Sequence, residues 1–213
     1  TPMEINRRAW LKGFGAAIVL GAVGTGVAWH RFGTPQIADL TDWKGFSADD
    51  VSLLNEIAEA IMPTTDTPGA KAGDVGAFMA IAVSECYEPQ HQAVFVAGLR
   101  AVEADCLHRF GRGFREITAE QRTALLSEIE GERKWRELWN RGERGLRAAA
   151  SPLTGIKPAP VQTPHYFTMM TDLAVLGYFT SEPGATQALR HQAIPGSYNG
   201  SLPYRKGDRA WSM

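Results

Sequence analysis

The chain has 213 residues, 44% of them apolar and 21% charged, the proportions of one ordinary globular domain. Its 22 Lys and Arg nearly balance its 23 Asp and Glu, giving a net charge of -1. That argues against a basic nucleic-acid-binding domain and against an acidic disordered chain, and two cysteines are too few for a disulfide-built scaffold or a four-thiolate metal site.

Residues 1–28 read as an address. Arg7-Arg8, followed by Trp10 and Leu11-Lys12, precede an uncharged run from Gly13 to Trp29 that is rich in Gly, Ala and Val. Basic residues before an apolar stretch are the layout of an export signal. The paired arginines with an aromatic two residues on look like a twin-arginine signal, with Trp10 where Phe is more usual. Gly26-Val27-Ala28 offers small residues for cleavage after Ala28. Retention as an uncleaved membrane anchor stays open. The run is at the lower limit of a bilayer span, and its five glycines (Gly13, Gly15, Gly21, Gly24, Gly26) would weaken such a helix. The twin-arginine translocase carries folded cargo, so the expected location is the periplasm, and a cofactor or partner is expected to be acquired before export. Losing residues 1–28 removes three cations and one anion, leaving a mature chain at -3.

Residues 29–46 form a linker. Ser47-Ala48-Asp49-Asp50 then opens a helix, with Ser47 as cap and Asp50 in the third position. Val51, Leu54, Ala58 and Ile61 follow at helical spacing, and Pro63 ends the run. Thr64 to Ala70 is a loop of turn formers. Asp74 is expected to cap a second helix to about Tyr87, with Val75, Phe78, Met79, Ala82 and Cys86 on one face. Pro89 suits the first turn of a third helix. Its stripe is Phe95, Leu99, Val102, Cys106 and Phe110, and Gly111 and Gly113 stop it. Thr118 with Gln121 makes another capping box, leading into Leu125, Leu126 and Ile129.

From Glu132 to Ala150 the pattern stays helical but strongly charged, with Trp135, Leu138, Trp139 and Leu146 as its larger apolar residues. A buried bundle helix carries a wider apolar face, so this one is expected to be half exposed or covered by a partner. Ser151 to Thr163 is a Pro-containing loop. After Pro164, the run His165 to about Phe179 is apolar nearly all round and is expected to be buried on all sides. Periodicity fades beyond Ser181, where Pro183, Pro195, Tyr198, Pro203, Tyr204 and Trp211 are apolar anchors for a wrapping tail. The fold expected is all-α: an irregular helical bundle over 47–180, with a signal or anchor before it and an extended irregular tail over 181–213.

No catalytic, cofactor-binding or metal-binding residue can be nominated from spacing. The chain lacks a Cys-x-x-Cys-His, a P-loop and a dinucleotide-type glycine motif after a strand. Its five histidines never fall one helix turn apart. Cys86 and Cys106 flank the turn near Pro89, and a helical hairpin would hold them on the order of 20 Å apart, too far for a bridge. Cys106 sits on the apolar stripe as a core thiol, which leaves Cys86 as the candidate for pairing with another chain.

Five segments carry a resemblance. They are Ala60 to Ala70 (Ala-Ile-Met-Pro-Thr-Thr-Asp-Thr-Pro-Gly-Ala), Phe110-Gly111 with Phe114, Gly177 to Ala185 (Gly-Tyr-Phe-Thr-Ser-Glu-Pro-Gly-Ala), Pro195-Gly196 with Tyr198 and Gly200, and Gly207 to Trp211. Together they resemble the gluconate 2-dehydrogenase subunit 3 family over about Ser47 to Trp211. The resemblance implies a non-catalytic accessory subunit. Its large partner would be an FAD-holding flavoprotein of the glucose–methanol–choline type that oxidises a sugar or sugar acid, as a gluconate 2-dehydrogenase or a glucoside 3-dehydrogenase does. A cytochrome c with haem c would take the electrons. The flavoprotein would leave the cytoplasm on this chain's signal, which would explain a folded-cargo signal on a chain with no cofactor site.

On this reading Arg7 and Arg8 serve export. Trp135, Trp139, Tyr178, Phe179, Tyr198, Tyr204 and Trp211 are the docking candidates, although such aromatics suit an ordinary core equally well. A free-standing periplasmic binding protein or chaperone, and a small enzyme with a site no motif reveals, are the alternatives.

Overall fold

The computed structural model describes residues 45–154, 163–192 and, up to 212, all but 193, 195, 197–199, 202 and 204. Arg7, Arg8, Tyr198 and Tyr204 lie outside the described residues, as does the whole of 1–28. Five α-helices make up the described domain: α1 (Ala48–Ile61), α2 (Val75–Cys86), α3 (Pro89–Phe110), α4 (Ala119–Thr154) and α5 (Tyr166–Thr180). A 3-10 turn (Ala70–Gly73) precedes α2 and a π-type turn (Gly184–Ala188) follows α5. Among the described residues there is no strand, only an isolated bridge between Arg190 and Trp211. The all-α expectation holds.

The helix starts show why the sequence folds locally as it does. Ser47 Oγ accepts from the Asp50 amide at 3.2 Å, and the Asp50 carboxylate accepts from the Ser47 amide at 3.0 Å, so the capping box closes at α1. Arg100 on α3 donates to Asp50 Oδ1 at 2.6 Å, tying the cap to the next layer. Thr118 and Gln121 cap α4 in the same reciprocal way. Pro89 occupies the first turn of α3, and Gly111 ends it at φ +66°, a left-handed conformation that glycine adopts without strain.

The start of α2 differs from the expectation. Asp74 stands at φ 48° with no capping bond from its side chain. Instead Asn55 of α1 does the work from across the interface. Its carbonyl oxygen accepts from the Gly76 amide at 2.7 Å, while its amide donates to Asp74 Oδ1 at 2.9 Å. Gly76 is required there, since a Cβ would stand 2.5 Å from the Asn55 amide nitrogen. The buried face of α2 runs through Val75, Gly76, Met79, Ala80 and Val83, and Cys86 is exposed, off that face.

In α3 the expected stripe is buried at Phe95, Leu99, Val102 and Cys106, with Phe110 packed against the core's edge. Each such fully buried side chain stabilises the fold by about 1.5–3 kcal/mol. Cys106 and Cys86 are both free thiols. Burial pushes the Cys106 thiol up to about 11, so it is inert. The expected two helical stretches of α4 are one helix, which continues through Ser151 and Pro152 to Thr154 rather than ending at Ala150.

The strongly apolar helix α5 lies at the centre and touches every other element named here. Gly98 of α3 faces the Tyr166 ring so closely that a Cβ would stand 2.1 Å from it. The expectation that α5 is buried all round is not met. Its inner face, from Tyr166 and Phe167 through Met170, Leu173 and Ala174, is buried, but Val175, Leu176 and Phe179 face solvent. Packing partners surround only one side of it, and the apolar residues on the other side are left uncovered.

Candidate functional site

The first feature is a junction where three stretches far apart in sequence meet. After α1 the loop is stitched down by Glu59, whose carboxylate accepts from the Thr64 amide and hydroxyl at 2.9 and 2.7 Å and from the Lys71 amide at 2.9 Å. Burial opposes ionisation of Glu59, yet these hydrogen bonds outweigh it and hold the group below its ordinary pKa. Gly69 leaves room for that carboxylate, since a Cβ would lie 2.3 Å from Glu59 Oε1.

The loop then meets α5. The Tyr178 hydroxyl donates to the Pro68 carbonyl at 2.7 Å. Ser181 Oγ donates to the Tyr178 carbonyl at 2.7 Å and accepts from the Gly184 amide at 3.2 Å, which turns the chain out of the helix. A Cβ on Gly184 would stand 1.8 Å from the Tyr178 carbonyl oxygen. Around this turn the tail closes on itself. The Arg190 amide donates to the Ala210 carbonyl, the Ser212 amide donates to the Arg190 carbonyl, and the Arg190 guanidinium lies 4.8 Å over the Trp211 ring. Arg209 reaches back to the Gln187 carbonyl at 2.6 Å and to Asp66 at 3.9 Å.

The second feature is a ledge on α4. Trp135, Leu138 and Trp139 are 65%, 59% and 50% exposed, and their spacing places them on one face. The flank is ion-paired: Arg133 binds Glu130 at 2.6 Å and Glu137 at 3.1 Å, and Lys134 also reaches Glu130. The Arg133 hydrogen bond pulls the Glu130 carboxyl down to about 2. His165, which caps α5 by accepting from the Phe167 amide through Nδ1 at 3.2 Å, lies near this cluster. Burial, and then the charges of Arg136 and Arg133, lower it to about 4.

A groove of about 690 Å³ runs beside Phe46, Val51, Ala80 and Ile81. Its polar lining is Ser84, Glu85 and Gln92, and the Gln92 amide is engaged by the Val83 and Ser84 carbonyls. Among the described residues that line it there is no cation. Among the described residues no group of three or more His, Cys, Asp or Glu could hold a metal ion, and no helix is long and apolar enough to cross a membrane.

The docking candidates therefore fall into different places. Trp135 and Trp139 are exposed together. Phe179 is at the surface, edge-on to Tyr178 at 5.1 Å, and Trp211 is half exposed on the closed tail. Tyr178 must be corrected: it is only 4% exposed, and its ring and hydroxyl serve the junction, not a free surface. Leu138, Val175 and Leu176 belong to the exposed apolar set and were not singled out for docking from sequence. Leu138 could have been, since it lies three residues from Trp135 on the same helical face.

No curated protein and no solved structure matches the chain. The sequence profile of gluconate 2-dehydrogenase subunit 3 matches residues 48–196, which take in α1 through α5 and both blocks of the junction. The chain therefore belongs to the gluconate 2-dehydrogenase subunit 3 family, the small subunits of a dehydrogenase complex.

Proposed function

We propose that this protein is the non-catalytic small subunit of a periplasmic sugar dehydrogenase complex, and that it escorts and stabilises a large FAD-dependent subunit of the glucose–methanol–choline type. The complex oxidises gluconate or a glucoside and passes electrons to a cytochrome c. The FAD and the haem c belong to those partners. The observation that carries this reading is the family match across 48–196, joined to an apolar surface on α4 that the chain's own body leaves uncovered. Arg7 and Arg8 supply the export signal to the twin-arginine translocase, and the segment that follows them is either cleaved or kept as an anchor.

The test is Arg7→Lys with Arg8→Lys in the native host. Both subunits should then accumulate in the cytoplasm, measured by fractionation and flavin absorbance. A large subunit that still reaches the periplasm would sink the escort role. Purification of the chain should bring down a yellow complex, whereas a colourless lone chain would favour a free-standing chaperone. Sugar oxidation by the chain alone would make it an enzyme.

A further inference from the structure

We infer that the distal half of α4 is a helical arm that docks lengthwise into an apolar groove, rimmed by carboxylates, on the large catalytic subunit. This rests on the preceding reading that such a subunit is the partner. The core-facing residues of α4 are Leu125, Leu126 and Ile129, and beyond Ile129 no described residue of the helix is buried. The helix nevertheless continues to Thr154, a further stretch on the order of 37 Å at about 1.5 Å per residue. At about 100° per residue, Trp135, Leu138 and Trp139 are centred roughly 130° around the axis from the core-facing set. One helix thus carries two apolar faces, and the body of this chain occupies only the first.

The register of the second face indicates what covers it. Trp135, Trp139, Gly142, Leu146, Ala149 and Leu153 follow one another at alternating spacings of four and three residues. That is the narrow seam of a helix laid into a protein groove, whereas a helix lying on a lipid surface presents a broad apolar half. A Cβ at Gly142 or Gly145 would meet nothing within 4 Å, so nothing in this fold calls for glycine there. Glycine weakens an exposed helix but lets another backbone come close.

Charge supports the same occupant. Residues 45–131 hold six basic and fourteen acidic side chains, but residues 132–154 hold six basic and three acidic. The arm is therefore cationic where residues 45–131 are acidic. Lys134 and Arg141 beside the tryptophans are 68% and 71% exposed, and among the described residues they pair along the helix, with Glu130 and Glu137. Exposed pairs of that kind are weak and exchange readily for a partner's carboxylates.

The experiment co-expresses the full chain with its large subunit, comparing wild type with Trp135→Ala/Trp139→Ala and with Lys134→Glu/Arg141→Glu. Both variants should keep the helical circular dichroism and melting midpoint of the lone chain, because these side chains leave the core untouched. The tryptophan variant should bind the large subunit roughly a hundredfold more weakly, and the charge variant should bind more weakly at low salt but little differently at high salt. Unchanged binding by both variants, with the wild-type complex intact, overturns the arm but not the escort role. A wild-type chain that captures no flavoprotein overturns both. Two further outcomes also overturn the arm's assignment: tryptophan-dependent dimerisation of the lone chain, or tryptophan-dependent binding to phosphatidylglycerol vesicles, if complex formation is unaffected.

Discussion

Single side chains at the junction set how the family's signature blocks are held. Tyr178→Phe removes the hydrogen bond to the Pro68 carbonyl and a longer one, at 3.4 Å, with the Thr67 hydroxyl, and should cost about 1–2 kcal/mol in chemical denaturation. Gly184→Ala places a Cβ where the Tyr178 carbonyl oxygen already stands and should cost about 3 kcal/mol, because neither backbone can give way freely. His165 makes a pH prediction. Its pKa falls from 6.5 to about 4 on folding, chiefly through burial, so the unfolded chain takes up the proton first as pH drops. The stability it supplies is complete above pH 6.5 and is lost as pH falls from there to about 4. The depressed carboxylates of Asp50, Glu56 and Glu59 extend the decline, since their contribution disappears as pH falls through and below the ordinary carboxylate range. Denaturation midpoints across pH 3–8 should therefore show a two-stage fall, and His165→Gln should flatten only the upper stage. The same residues mark the limit of sequence reading. Ser47 with Asp50 and Thr118 with Gln121 are legible because cap and partner lie three residues apart. The Asn55 cap on α2 is not, because the capping residue lies 21 positions earlier in the chain. Tyr178 and Phe179 are neighbours of similar chemistry, and only the packing of α5 decides that one is core and the other is surface.

At the scale of the elements, α4 and α5 depart most from their patterns. A run as apolar as α5 calls for burial, and composition cannot tell this chain's own core from a surface left for something else. In α4 the charges show exposure, but its continuity through Ser151 and Pro152 is not a local signal. Its glycines offer a test that does not involve the tryptophans. Gly142→Ala should raise the ellipticity at 222 nm and stabilise the distal helix by about 0.5–1 kcal/mol, because the added methyl meets nothing within the chain. If the same substitution weakens complex formation, the glycine is there for a neighbouring backbone. Hydrogen exchange should separate the two halves of α4: amides near Leu125 and Ile129 slow, and those beyond Arg133 fast in the lone chain.

For the whole molecule, the central position of α5 has a consequence for the order of folding. Every other element named here packs on this helix, yet it begins only at Tyr166, after α1 to α4 have been synthesised. The Tyr178 hydroxyl closes onto Pro68 across 110 residues of chain, so the loop after α1 waits for its partner until α5 has been made. At the usual 5–20 residues per second, that wait is on the order of 5–20 s. A chain released before α5 would carry α1 to α4 with the apolar surface that α5 covers left open. The core therefore closes only once α5 has been made, and products truncated before it should be substrates for proteolysis rather than partly working subunits.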